Sequence, residues 1–419
     1  MDAQLKALFK ERQYVKFSAY GFLKNLRFFE PFLVLYLLSK GMSYTEIGVL
    51  IGLRELVVMI TEIPSGLIAD ALGRRRTLAS SFVFYMISFV AFFVSQSFMG
   101  FLVAMLFFAV GDAFRTGVHK AMIFEYLLKQ LKQDYKTDYY GRTRSWSQMG
   151  TAFSSLLAGA FVVLTGDYGL IFLFSIVPYI ADLLLVMSYP KWLDGDTGSA
   201  KVSVGERFKL VWKVFLVSLK NTFMLRGLTN NAVHSAFYAS AKDYLQPLLK
   251  ALALSLPLQL FQEAEKQAAM IVGLVYFLIY IGTSIMSRYA GNFAKLFSQP
   301  SKPLNLTLYV GLMAGIVSGF FFQHGFELMA VVFFMVILFN ENLRKPIGIA
   351  YVATLTDQKS MATLLSVQSQ LKALLAAIFA PFIGFLADKF GIGNALIIFG
   401  IVVIVLSPFY WVRRVREEG

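Results

Sequence analysis

Asp112, Arg115 and His119 stand at i, i+3 and i+7 inside an apolar stretch, so they share one face of a helix, with Thr116 and Lys120 on the adjoining stripe. Arg115 stays protonated and can grip a carboxylate or phosphate through two parallel hydrogen bonds, and His119 can change its charge near neutral pH. Such a face suits anion binding and proton transfer; it equally suits an internal Asp112–Arg115 pair that neutralises itself. A second polar face, Asn231, His234, Tyr238 and Lys242, recurs at spacings of three and four. Glu341 has Arg344 and Lys345 at i+3 and i+4, a geometry for self-pairing as much as for holding a solute. Lys24, Arg27, Glu30, Arg54, Glu55, Glu62, Asp182, Asp243 and Lys372 also interrupt apolar runs, with Glu125 near the end of one. Among these, Glu30, Glu55, Glu62 and Asp112 are candidate proton carriers, because carboxyls inside a membrane mark proton pathways.

Other chemistries are excluded early. The chain has no cysteine, which removes disulfides, thiolate metal sites and cysteine nucleophiles. His119, His234 and His324 are its only histidines, too few for a His-rich zinc site or an expected catalytic triad, so neither a metal nor a cofactor is expected. No G-x-x-x-x-G-K-[ST] loop is present to hydrolyse ATP. No nucleophile, base and orienting partner stand at readable spacing, so an enzyme is not expected.

The elements that must carry these residues are membrane helices. Of 419 residues 57% are apolar and 15% charged, against about 25% charged in soluble domains. Long apolar runs lie at roughly 17–39, 46–71, 78–99, 101–127, 145–165 and 169–189, and again at roughly 222–249, 268–290, 304–323, 327–355, 361–386 and 392–411. Each is long enough to cross a bilayer. The first is too long for a signal-peptide core and no cleavage site follows it, so it reads as a retained span. Outside the spans or at their ends, 25 Lys and Arg fall on the side of the N-terminus, Arg288 at the end of span 8 among them, and four (Lys40, Lys250, Lys266, Lys389) on the other. That bias places both termini in the cytoplasm and accounts for the net charge of +14 without nucleic acid. The longest connection, 190–221, divides the chain into halves 1–189 and 222–419. Within it Phe208, Val211, Trp212, Phe215 and Leu219 face away from Lys209, Lys213 and Lys220, which suits an amphipathic helix on the inner membrane surface.

The halves repeat. Glu30-Pro31 of span 1 aligns with Gln246-Pro247 of span 7, Arg115 of span 4 with Arg344 of span 10, and Ser147-Gln148 of span 5 with Ser369-Gln370 of span 11. Three matches in the same order indicate a six-plus-six repeat. After span 2 the chain reads Gly66-Leu67-Ile68-Ala69-Asp70-Ala71-Leu72-Gly73-Arg74-Arg75-Arg76-Thr77-Leu78. This loop resembles the G-x-L-a-D-r-x-G-r-r-x-x-l signature of the major facilitator superfamily, departing from it at Ala71, where a cation is usual. With the spans, the repeat and the charge bias, the resemblance extends over the whole chain. It implies an all-α integral membrane protein of two six-helix bundles related by a pseudo-two-fold axis. Gly66, Asp70, Gly73, Arg74 and Arg75 are then expected to form a conformational latch on the cytoplasmic side, Asp70 accepting backbone N–H bonds at a neighbouring helix N-terminus. The matching loop after span 8 carries Asn292 where Asp70 would fall.

The resemblance also implies that spans 1, 4, 7 and 10 line a central cavity. Arg27, Asp112, Arg115, His119, Asn231, His234, Tyr238, Lys242, Glu341 and Arg344 are therefore the candidate substrate-binding residues. These spans hold seven basic and four acidic residues, which points to a small anionic or zwitterionic solute. The expected function is secondary active transport by alternating access, coupled to a proton or another ion, by a monomer in a prokaryotic cytoplasmic membrane. The alternatives are a proton-driven exporter of hydrophobic compounds and a flippase for lipid-linked substrates. Span 5, QMGTAFSSLLAGAF, lacks the proline-containing motif of the superfamily's drug antiporters, which speaks against export. The aromatic residues are expected mainly at lipid-facing and interfacial positions.

Overall fold

The computed structural model describes residues 7–130, 132, 135–195, 205, 206, 209, 222–257, 261, 263–354 and 358–412, and among them every regular element is a helix. In chain order these are α1 (Arg12–Leu23), α2 (Leu33–Ser39), α3 (Tyr44–Leu72), α4 (Arg74–Val94), α5 (Phe98–Arg115), α6 (Val118–Lys129), α7 (Lys136–Thr165) and α8 (Leu170–Met187). Then follow α9 (Thr222–Ala241), α10 (Leu245–Ser255), α11 (Ala264–Lys295), α12 (Ser301–Gln323), α13 (Glu327–Ala353) and α14 (Gln358–Val405), with short 3₁₀ turns between some of them. Among the described residues seven helical segments are long and apolar enough to cross a membrane, the last of them, Thr363–Phe409, holding 47 residues. Gly391, at φ +80°, divides α14 into two helices, which are spans 11 and 12. The amphipathic helix expected from Phe208, Val211, Trp212, Phe215 and Leu219 lies outside the described residues.

Three of the expected continuous spans are broken, each for a local reason. In span 1 the Asn25 side chain donates to the Gly21 carbonyl at 2.7 Å, competing with the backbone at the end of α1, and Pro31 then sits in a 3₁₀ turn ahead of α2. Span 4 stops at Arg115, where the Thr116 hydroxyl bonds back to the Asp112 carbonyl at 2.8 Å and Gly117 follows before α6. Span 7 is interrupted by a 3₁₀ turn at Lys242–Tyr244, after which Pro247 falls in the first turn of α10, where its missing N–H is harmless. Each break adjoins an ionisable residue: Lys24 and Arg27, Arg115, Lys242. Broken helices of this kind leave backbone groups and charges available at membrane depth.

By contacts the chain forms two compact units: residues 1–32, 57–206 and 273–277, and residues 33–56, 207–272 and 278–419. The first unit is cored by aromatic rings, including Phe29 stacked on Phe172 at 5.4 Å, Tyr179 edge-on to Phe89 at 5.0 Å and Tyr85 against Phe108 at 5.1 Å. Many aromatics therefore build the interior, beside others at exposed positions such as Phe153 and Trp146.

In the second unit the start of α3 is held against α14. Ser43 and Glu46 form a reciprocal capping box, with Ser43 N–H donating to Glu46 at 2.8 Å and Glu46 N–H to Ser43 Oγ at 3.2 Å. Asp388 adds a second cap, accepting from the Tyr44 and Thr45 N–H groups at 2.8 Å each and from the Thr45 hydroxyl at 2.5 Å. Gln246, fully buried, accepts from Val34 N–H at 2.8 Å at the start of α2. Gly48 and Gly384 make the approach close: a Cβ on Gly384 would collide with the Tyr44 carbonyl, and one on Gly48 with the Ala380 carbonyl. Small residues serve membrane helices in this way. Gly384→Val is therefore expected to lower stability by about 1–3 kcal/mol through overpacking. Gly291→Ala, where an added Cβ meets nothing within 4 Å, should leave the thermal unfolding midpoint in detergent unchanged. Equal midpoints for the two variants would refute the close-packing account.

Candidate functional site

In the first unit three donors converge on one oxygen of Asp112, which is 4% exposed in the last turn of α5. Asp112 Oδ1 accepts the Tyr85 hydroxyl at 2.5 Å, Arg115 Nη2 at 3.1 Å and Arg27 Nη2 at 3.4 Å. Arg115 Nε donates to the Tyr85 hydroxyl oxygen at 2.9 Å, closing a ring of three side chains, Asp112, Tyr85 and Arg115, to which Arg27 is attached at Asp112. The Arg27 guanidinium also lies over the rings of Tyr85 and Phe108, at 5.8 and 5.7 Å. Two guanidiniums thus share one carboxylate, while Glu30 acts on Arg27 from the adjoining 3₁₀ turn. The arrangement is more than a single Arg–Asp pair: two guanidiniums meet at Asp112, with the Glu30 charge beside Arg27.

His119 takes a different place from the one its spacing predicts. Gly117 ends the continuous helix, so His119, on α6, leaves the Asp112–Arg115 network, stacks on Tyr20 at 3.7 Å and sets Nε2 at 3.3 Å from the Tyr189 hydroxyl. Tyr85 is a participant that charge patterning missed. The available signal was a phenol in mid-span, whose hydroxyl needs a partner when buried.

A second polar centre lies in the second unit. His234, fully buried on α9, places Nδ1 at 2.8 Å from Glu341 Oε2 and Nε2 at 2.9 Å from the Asn340 amide nitrogen. Asn340 also donates to the Thr307 carbonyl at 2.8 Å, which orients its amide as a donor toward Nε2. The proton of His234 is thereby assigned to Nδ1 and points at Glu341, whose other oxygen accepts the Ser235 hydroxyl at 2.9 Å. Asn231 donates to the Gly348 carbonyl at 3.3 Å. Arg344 is 2% exposed and donates to the Leu304 carbonyl, to the Thr307 hydroxyl at 2.8 Å, to the Asn230 carbonyl at 3.2 Å and to the Asn230 side-chain oxygen. Its terminal nitrogens thus brace α9 and α12 against α13, and Glu341 turns to His234 and Ser235, away from the self-pairing with Arg344 that the i+3 spacing favours. Lys242 pairs with its neighbour Asp243 at 2.7 Å, and Tyr238 is half-buried on α9.

The remaining candidate proton carriers Glu55 and Glu62 both stand on α3. Glu55 is bridged by Lys372 at 2.8 Å in the second unit. The Glu62 carbonyl accepts the Ser65 hydroxyl, which also reaches the Ala113 carbonyl at 2.8 Å.

On the cation-rich face, Gly66 is half-buried in α3, and Gly73, at φ +100°, makes the turn into α4 that a side chain would resist. Arg74 lies between Asp70 at 3.9 Å and Glu125 at 3.5 Å. The carboxylate that accepts a backbone N–H at the start of α4 is Asp194, bonded to Arg75 N at 2.8 Å, and the Arg75 side chain donates to the Tyr189 carbonyl at 2.9 Å. The capping role expected for Asp70 thus falls to Asp194, far along the sequence, while Asp70 meets the Arg74 side chain. Asp194→Ala should lower stability by about 0.5–2 kcal/mol, the loss of a cap, and more than Asp70→Ala. Thermal unfolding in detergent that ranks the two the other way would overturn this assignment. Tyr85→Phe, which strips a donor from Asp112 and an acceptor from Arg115, should cost about 1–3 kcal/mol in the same assay.

Comparison with known proteins agrees with this architecture. A profile described as Major Facilitator Superfamily matches residues 25–356. The uncharacterized MFS-type transporter YxaM of Bacillus subtilis is 22% identical over 401 residues, covering 91% of this chain and 90% of that protein. Among solved structures, the nucleoside transporter NupG superposes with a TM-score of 0.77 at 12% identity over 96% of this chain and 98% of its own. A POT family transporter in complex with 5-aminolevulinic acid superposes with a TM-score of 0.69 at 14% identity, over 94% and 93% of the two chains. Similarity at this identity shows a shared fold, and with the profile match over most of the sequence the chain belongs to the major facilitator superfamily, a family of multi-pass membrane transporters.

Proposed function

We propose that this protein is a secondary active transporter of a small anionic or zwitterionic solute. It works by alternating access of its two six-helix halves, 1–189 and 222–419, and is driven by a proton gradient across a prokaryotic cytoplasmic membrane. The observation that carries this reading is the sharing of Asp112 by Arg27 and Arg115. Charges within a membrane are costly and are retained where they bind or move something. Arg115 keeps 21% of its side chain exposed, so one guanidinium can turn from Asp112 to a carboxylate or phosphate without leaving either partner stranded. The solved relative holding 5-aminolevulinic acid, a carboxylate-bearing molecule, supports the same solute class.

The test is ligand-induced thermal stabilisation of detergent-purified protein, because a ligand selective for the native state raises apparent stability by about 2.7 kcal/mol at a hundred times its Kd. Organic anions and zwitterions should stabilise wild type and fail to stabilise Arg115→Ala. Stabilisation of both forms by lipophilic cations alone would overturn the anion reading and favour export of hydrophobic compounds.

A further inference from the structure

Asp182 belongs to none of the networks described above. It stands on α8, three residues after Tyr179, whose hydroxyl donates to the Lys24 carbonyl at 3.2 Å and so fixes α8 against the end of α1. The Asp182 side chain is 0% exposed, and among the described residues neither of its oxygens accepts a hydrogen bond. An ionised carboxylate enclosed in this way, without donors, carries a large desolvation penalty; the neutral acid carries a far smaller one.

Its surroundings are nonetheless charged and titratable. Lys24 and Arg115 act on it electrostatically, from the end of α1 and from α5. Tyr20 of α1 and Tyr189, just beyond α8, feel its charge in turn, and His119 of α6 lies between those two rings, stacked on Tyr20. From the other helices packed on α8, Tyr85 of α4 is engaged with Asp112 and Arg115, and Arg144 and Tyr139 of α7 act on Lys24 and Tyr189. Asp182 therefore lies in the field of two cations, one of which is the arginine that carries the proposed anion site.

We propose that Asp182 is the proton-binding residue of this transporter, its protonation favouring an anion at Arg115 and the anion favouring its protonation. This rests on the reading of the protein as a transporter of anionic solutes. The charge logic is direct. With Asp182 ionised, its negative charge offsets Lys24 and Arg115 and opposes a second anion. When a proton from the aqueous phase forms an O–H bond at the carboxyl, that opposition disappears and the same cations are available to the solute. Coupling of this kind is reciprocal, so proton and anion bind together and leave together, which makes the transport a symport. Two of the proton carriers marked by sequence pattern are differently placed: Glu55 is bridged by Lys372, and Asp112 is held by three donors.

Two measurements test the proposal on the full-length protein in lipid nanodiscs. The first needs no solute: infrared difference spectra across a pH titration report the carbonyl stretch of protonated carboxyl groups. Wild type should show such a band near neutral pH that fades as pH rises, Asp182→Asn should lack it, and Asp182→Glu should shift its frequency. The Glu variant and the wild-type titration keep the test decisive if the Asn variant does not fold. A band that persists unchanged in Asp182→Asn, or no protonated carboxyl near neutral pH in wild type, would overturn the proposal.

The second uses inorganic sulfate as the probe anion, with Arg115→Ala as the control for sulfate bound elsewhere. Sulfate should bind wild type more tightly as pH falls, by up to about tenfold per pH unit over the range where one proton is taken up. The total change should fall within about 5- to 150-fold, and Asp182→Asn should bind sulfate with no such dependence. An unaltered pH dependence in Asp182→Asn sinks the coupling. If the infrared band belongs to Asp182 but no anion, sulfate included, stabilises wild type at any pH, the anion-transport reading fails while the proton site stands.

Discussion

A charge taken out of water must find its solvation in the protein, and in this chain Asp112 is where that requirement gathers the most structure. Its single oxygen draws together Arg27 after α1, Tyr85 on α4 and Arg115 at the end of α5. The aromatic packing of the first unit follows the same geometry, with Tyr85 wedged against Phe108 and Tyr179 and Arg27 lying over two rings. The breaks after α1 and α5 belong to this arrangement as well, because Arg27 lies within the first and Arg115 closes the helix that ends at the second.

The repeat in the sequence does not produce a repeat in chemistry. Arg115 and Arg344 occupy matching positions three residues after Asp112 and Glu341, yet their partners diverge. Arg115 meets a carboxylate and a phenol and remains partly exposed. Arg344 is buried among carbonyl, hydroxyl and amide oxygens, where it acts as a brace between helices. Glu341, released from its arginine, is held by the Nδ1–H of His234 and by Ser235. The first unit thus concentrates guanidinium charge around one acid, and the second holds an acid with neutral donors.

Helix N-termini impose a second recurring constraint, since their first N–H groups lack intrahelical acceptors. Here distant side chains supply them. Asp194 caps α4, Asp388 caps α3 together with the local Ser43–Glu46 box, and Gln246 accepts at the start of α2. The Asp194, Asp388 and Gln246 bonds each cross more than a hundred residues of sequence and attach one helix end to another part of its own unit. A side-chain cap contributes about 0.5–2 kcal/mol, small beside the packing of a whole unit but local enough to be made and broken as a transporter changes state.

Much of this was determined by the sequence alone. Apolar runs of span length, the bias of Lys and Arg to one side, the Gly66 to Leu78 loop and the ionisable residues at Asp112, Arg115, His234 and Glu341 depend on composition and order, and bilayer thickness and desolvation act on those directly. Helix breaks were half legible: Pro31 and Pro247 announce them, whereas the backbone bond from Asn25 and the turn at Gly117 do not. Partner choice was decided by the tertiary structure. Whether Arg344 meets Glu341 or Asn230, whether Asp70 or Asp194 caps α4, and whether Asp182 finds any donor depend on how helices far apart in sequence are rotated against one another. A hydrogen bond is made or lost over less than an ångström, and neither spacing nor periodicity along one chain carries that information.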